Sequence, residues 1–348
     1  MNATLDSRRP AVSFLELIDL ASAKVGGKTL ASSDDFFAPM ENMLKPEPAI
    51  FIPGKYVDTG KWMDGWESRR KRNLRPGHDH DWCIVELGLP GIVRGLNVDT
   101  AFFTGNYPEY CAVDACHSEG KPGPKTAWTE ILTKSRLQGD SINLFPIGND
   151  RVWTHLRLRT FPDGGIARFR VHGEVVPDTK KLRASKKTID LVAAENGGVV
   201  VTANDMHYGS KDNLIFPGRA KTMGEGWETR RKRGPVTPDW IVIKTAIAGK
   251  ISKIEVDTNY FKGNYPESCS IEGCRYPSRD LVAADFRDRT DLKWVEILPR
   301  TKLRAHTQHH FGKELNAAAT ALAFDYIRLN IYPDGGISRL RIFGTPSA

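Results

Sequence analysis

Short apolar runs bounded by glycine, proline or acidic residues set the pattern of this chain. Asp81-Trp82-Cys83-Ile84-Val85-Glu86-Leu87 and Trp240-Ile241-Val242-Ile243 have strand length. Gly95-Leu96-Asn97-Val98-Asp99-Thr100 and Ile251-Ser252-Lys253-Ile254-Glu255-Val256 alternate with a period of two, as a half-buried strand does. Leu156-Arg157-Leu158-Arg159 and Ile327-Arg328-Leu329-Asn330 each run into Pro-Asp-Gly-Gly, after which alternation resumes over 166–171 and 337–342. Two alternating strands about Asp-Gly predict a β-hairpin at each place. Helical periodicity is confined to 13–23 and 315–324.

The pattern occurs twice. Asp19-Leu20 with Gly26-Gly27 returns as Asp190-Leu191 with Gly197-Gly198, and Asp34 aligns with Asp205. Gly65-Trp66-Glu67, Gly105-Asn106-Tyr107-Pro108-Glu109 and Trp128 come back as Gly226-Trp227-Glu228, Gly263-Asn264-Tyr265-Pro266-Glu267 and Trp294. Pro162-Asp163-Gly164-Gly165-Ile166 returns as Pro333-Asp334-Gly335-Gly336-Ile337, at the same offset of 171 positions as Asp19 and Asp190. Insertions that cancel between equal offsets mean two complete copies of one domain. The sequence divides into a lead over 1–18, a first copy over 19–173, a linker over 174–189 and a second copy over 190–348. Many short strands with Gly- and Pro-rich turns predict an all-β protein, each copy an antiparallel jelly-roll β-sandwich.

Composition adds an ordinary globular balance, 40% hydrophobic and 26% charged. No run approaches the roughly 20 apolar residues needed to span a bilayer, and Met1 to Pro10 lacks a secretory apolar core. Thr345-Pro346-Ser347-Ala348 does not have the form of a peroxisomal address. Five cysteines, an odd number without a signal peptide, predict reduced thiols and a cytoplasmic location. The net charge of +8 admits nucleic acid, an anionic membrane face or a small anionic substrate.

Position narrows that choice. Ser68-Arg69-Arg70-Lys71-Arg72 and Thr229-Arg230-Arg231-Lys232-Arg233 each directly follow Gly-Trp-Glu. A solvated tail or a nucleic-acid patch needs no fixed aromatic and carboxylate beside it, whereas guanidinium forks suit a carboxylate. A small anion is therefore favoured over nucleic acid. The loops from Asp99 to Glu109 and from Asp257 to Glu267 each bring an acid, an amide, a phenol and a second acid to a strand end. A tight Gly-Asn turn explains part of that match without function. His78-Asp79-His80-Asp81 has metal-ligand types, but the second copy has Thr237-Pro238-Asp239 there. Cys111/Cys116 and Cys269/Cys274 read as buried thiols in preference to zinc ligands. No metal or cofactor is expected.

These motifs together resemble the allantoicases, enzymes of purine breakdown. Asp19-Leu20-Ala21-Ser22 to Gly26-Gly27, Asp34-Asp35-Phe36-Phe37-Ala38-Pro39, both Gly-Trp-Glu-Ser/Thr-Arg-Arg-Lys-Arg segments, both Gly-Asn-Tyr-Pro-Glu loops and both Pro-Asp-Gly-Gly-Ile turns carry the resemblance, over about residues 14–344. It implies two tandem galactose-binding-like jelly rolls in a homo-oligomer, hydrolysing allantoate to ureidoglycolate and urea, with neither nucleic acid nor membrane as partner. That reaction breaks the bond from an sp³ carbon to a ureido nitrogen. A general acid protonates the leaving nitrogen, the second ureido group donates its lone pair, and water helped by a base adds to the carbon. Glu67, Asp99, Glu228 and Asp257 are candidates for the acid–base work, unranked by sequence. Arg69, Arg70, Arg230 and Arg231 are candidates for the carboxylate clamp, and Asn106, Tyr107, Asn264 and Tyr265 for bonds to the ureido groups. Trp66 and Trp227 are expected to pack and fix the Glu-Arg loop. The other reading is a non-catalytic tandem jelly roll that binds a sugar or a small anion.

Overall fold

The computed structural model describes residues 14–184, 187–234 and 237–347. The chain divides into two units at Val176–Pro177. Within the stretch expected as a linker, Thr179–Ala184 form a short helix, and the last residue of that stretch, Ile189, pairs with Gly344 of the second unit as Asp190 does with Phe343.

The first unit is organised by one long strand, Asp81–Asp99. Its first half lies in a five-stranded antiparallel sheet ordered Lys28–Ser32, Asp81–Asp99, Val152–Phe161, Tyr110–Cys116, Thr129–Arg136. Its second half runs between Ile142–Pro146 and Arg168–Val175. The crossing falls where register slips between Glu86 and Gly91. Pro90 offers no ladder donor there, and a Cβ on Gly91 would lie 2.4 Å from the Glu174 carbonyl. Inward residues of both halves, Cys83, Val85 and Leu87 from one and Val93, Leu96 and Val98 from the other, share a core with Val113, Leu156, Leu158, Phe169 and Val171. The second unit repeats the plan around Asp239–Asp257, flanked by Val199–Ala203 and Ala323–Tyr332 in one half and by Gln308–Phe311 and Arg339–Pro346 in the other. Each unit is an antiparallel jelly-roll sandwich, and the protein is two of them in tandem.

Three local expectations change. The strands around Pro-Asp-Gly-Gly do not form a hairpin: Val152–Phe161 and Arg168–Val175 both pair with the long strand. Between them Gly165–Ile166 pair with Trp66–Glu67. The glycines there serve close approach, because a Cβ on Gly164 would sit 2.6 Å from the Asn106 carbonyl oxygen and one on Gly165 1.9 Å from the Phe103 ring. Gly165→Ala is therefore expected to cost about 1–3 kcal/mol through overpacking. A thermal melt checks this, and Phe103→Leu in the same chain should recover part of the loss. Secondly, the expected helices shrink to the turn Phe14–Glu16, the turn Ala23–Val25 and the single helical turn Ala317–Thr320, with Ser13 outside the described residues. Thirdly, the half-buried alternation of Gly95–Thr100 is covered on both faces. A Cβ on Gly95 would meet the Phe14 ring at 2.2 Å, which shows how closely that ring overlies the strand.

Candidate active site

The duplicated segments meet in each unit. Trp66 is fully buried and its Nε1 donates to the Asp34 carbonyl; Trp227 does the same to Asp205, both at 2.8 Å. As expected, these tryptophans fix the loop that follows them. The Glu67 backbone carbonyl accepts from the amides of Phe37 and Ala38, and that of Glu228 from Tyr208 and Gly209. The strand pairs Glu67–Gly165 and Glu228–Gly336 bring in the Pro-Asp-Gly-Gly turns. Those turns in turn hold the third segment: Gly165 N–H donates to the Asn106 carbonyl at 2.7 Å, and Gly336 N–H to Asn264 at 2.8 Å. The Asn106 side-chain amide then donates to Glu67 Oε1 at 2.7 Å, and Asn264 to Glu228 Oε1 at 2.5 Å. A half-buried carboxylate oriented by an amide is thus built in both copies. Burial pushes the Glu67 carboxyl up against the opposing pull of the Asn106 bond.

The basic run splits its duties. The Lys71 backbone N–H donates to Asp163 and that of Lys232 to Asp334, at 2.7 and 2.8 Å. Their ammonium groups turn inward to Asp81 and Asp239, at 2.7 and 2.8 Å, two carboxylates that are almost wholly buried. Ser68 and Thr229 hydroxyls accept from Gly164 and Gly335 N–H. Arg69, Arg70, Arg230 and Arg231 face outward and are exposed. Asp34 and Asp205, aligned in the repeat but absent from the candidate residues, accept the Arg69 and Arg230 backbone amides at 2.9 and 2.8 Å. Burial works to raise Asp34, but hydrogen bonds from the Arg69 side chain and from the Arg69 and Phe36 amides hold it below the usual carboxylate range.

Other candidates stand apart from this cluster. Asp257 is fully buried and paired with Arg219 at 2.7 Å, while its Oδ1 also accepts from Asn259 N–H. Arg219 has Pro48 as its counterpart in the first copy, so the repeat gave no signal of that pair. Asp99 Oδ1 accepts the Ala101 N–H, and burial pushes its carboxyl up against that bond. Tyr107 packs against the cluster of Met63, Phe103 and Ala167 and lines a separate hollow of about 540 Å³ with Arg136, Gln138 and Asn143. Tyr265 is half-buried.

Among the described residues no three His, Cys, Asp or Glu side chains converge on a point that would hold a metal ion. His80 Nδ1 faces Asp79, and Asp81 belongs to Lys71. All five cysteines are buried and unpaired, with burial pushing the Cys111 and Cys269 thiols up to about 12. No helix among the described residues is long and apolar enough to cross a membrane.

Comparison with known proteins agrees with this architecture. The family model described as "Allantoicase repeat" matches residues 18–176 and again 189–347. The "Probable allantoicase 1" of Burkholderia mallei is 46% identical over 337 residues, covering 94% of both chains. The "Probable allantoicase" of Pseudomonas aeruginosa is 44% identical over 96% of this chain and 97% of its own. The crystal structure of allantoicase from Saccharomyces cerevisiae superposes with a TM-score of 0.71 at 34% identity, covering 94% of this chain and 93% of that one. With both repeats matched and the likeness running through nearly the full length, the chain belongs to the allantoicase family.

Proposed function

We propose that this protein hydrolyses allantoate to ureidoglycolate and urea, and that the Glu–Asn–Arg cluster is the machinery. The observation that carries the reading is the half-buried glutamate held by an asparagine amide, two residues before an exposed guanidinium. Allantoate offers a carboxylate for the guanidinium and ureido groups for the amide. Bringing an anion beside the glutamate and excluding water both favour the protonated carboxyl. That carboxyl gives its proton to the leaving ureido nitrogen while the C–N bond breaks, the electron pair leaving with urea. The second ureido nitrogen supplies its lone pair to the carbon. Water then adds there and returns a proton to the glutamate, which closes the cycle. Acid–base work falls to Glu67 and Glu228 in this reading. Asp257 is neutralised by Arg219, and Asp99 caps the turn that follows it.

The reading includes a cytoplasmic homo-oligomer working on a small molecule, without nucleic acid or membrane. The five buried, unpaired thiols suit a reducing compartment. Urea assayed after incubation with allantoate tests the function directly. Steady release is expected; allantoate that binds without releasing urea would leave a binding module. Retention on heparin with a steep salt dependence would instead point to nucleic acid.

A further inference from the structure

The two clusters share a backbone but differ in charge. In the first copy the Arg69 guanidinium is engaged by Asp34, through Nε at 2.7 Å and a terminal nitrogen at 2.6 Å, and lies over the Phe36 ring. A guanidinium held by an internal carboxylate has little charge left for a ligand. In the second copy the Asp205 carboxylate accepts the backbone amides of His207 and Arg230. The Arg230 guanidinium turns to His207 Nδ1 at 3.1 Å, and it has no carboxylate partner among the described residues.

The sequence differs in the same sense at matched positions. Exposed Asp35 of the first copy becomes exposed Met206, Phe36 becomes His207, and Thr104 in the Gly-Asn loop becomes Lys262. Each change removes negative charge or adds a donor or a cation. The second copy thus lacks the acid beside Asp205 and has, in His207, a side chain that the Arg230 guanidinium bonds.

We infer that the second copy holds the substrate carboxylate, with Arg230 as the clamp and His207 as the residue that positions it, while the first copy's matching arginine is neutralised from within. This rests on the allantoate reading and specifies where the anion binds. A charge-assisted pair of this kind contributes about tenfold or more in affinity.

Arg230→Met is expected to raise both the KM and the calorimetric Kd for allantoate about tenfold or more, and Arg69→Met less than about threefold. Two exposed substitutions probe charge without disturbing packing: Met206→Asp should weaken binding several-fold, whereas Asp35→Met in the first copy should not strengthen it by as much. His207→Phe should raise KM with a smaller change in kcat, and His207→Gln, which keeps an acceptor for Arg230, should recover part of the loss. Equal or larger effects from Arg69→Met, or unchanged binding in Arg230→Met, overturn the assignment. Direct binding separates the two levels. Wild-type protein that binds allantoate through Arg230 without releasing urea overturns the proposed reaction alone. Urea release with an Arg230→Met Kd equal to wild type overturns the assignment alone, and absence of allantoate binding overturns both.

Discussion

Glu228→Gln is expected to lower kcat for urea release by about two to four orders of magnitude, with a much smaller change in KM. The substitution keeps the size of the side chain and an oxygen for the Asn264 amide. It removes the group that moves the proton. A kcat within about threefold of wild type would take Glu228 out of the mechanism. Glu67→Gln makes an informative companion because its stability effect has a definite sign. The folded Glu67 carboxyl sits above its ordinary value, so its protonated form favours the fold below that ordinary value. That contribution is lost as pH rises through the folded value. A glutamine imitates the neutral acid at every pH. The melting temperature of Glu67→Gln should therefore exceed wild type at neutral pH, and the gap should close in acid. Comparing kcat for the two variants also reads how turnover is divided between the copies.

Arg168→Met is expected to destabilise the first unit by about 3–5 kcal/mol, the larger of the effects on folding. Only 1% of this side chain is exposed. It donates to Asp64 Oδ2 at 2.6 Å and to the carbonyls of Asp64, Glu47, Pro48 and Ala167. Methionine fills part of the space but leaves a nearly buried carboxylate and several carbonyls without their donor. Lys45, at 2.9 Å from Asp64, offsets part of that loss. Urea unfolding checks the prediction as a lower midpoint at unchanged slope. A loss below about 1 kcal/mol would mean that Lys45 and water replace the guanidinium. Arg339, the matching residue, has its ion pair with Glu225 at 3.4 Å, and Arg339→Met should cost less.

The tandem sandwich was legible because duplication lets each copy test the other. Glycine, proline and tryptophan that return in order are the residues whose backbones approach closely or whose rings fill the core. The paired turns were misread for a related reason. Asp-Gly between alternating strands is a hairpin signal locally, but Gly164 and Gly165 are small because Asn106 and Phe103 lie against them, and neither neighbour is visible from the turn itself. The candidate site was partly legible. Glu67 and Asn106 recur, and they touch in the fold. Asp34 also recurs, yet a lone aspartate far along the chain gives no sign that it takes the Arg69 amide and guanidinium. Arg219 is matched by Pro48, so comparison of the copies could not reveal that Asp257 is neutralised. The inward turn of Lys71 and Lys232 was hidden because a run of adjacent cations gives no sign of which one faces a buried aspartate.

That inward turn bears on how the site meets its ligand. Each loop is pinned by backbone amides at Arg69 and Lys71, or Arg230 and Lys232, and by an ammonium paired with a buried aspartate. Amide hydrogens at those four positions should exchange with solvent as slowly as those of the neighbouring strands, unlike those of an ordinary surface loop. The seat for the anion is then rigid before anything arrives, and little conformational entropy is lost on binding. Loosening Lys232 would leave every ligand-facing group in the chain and still weaken binding, since each encounter would first have to order the loop.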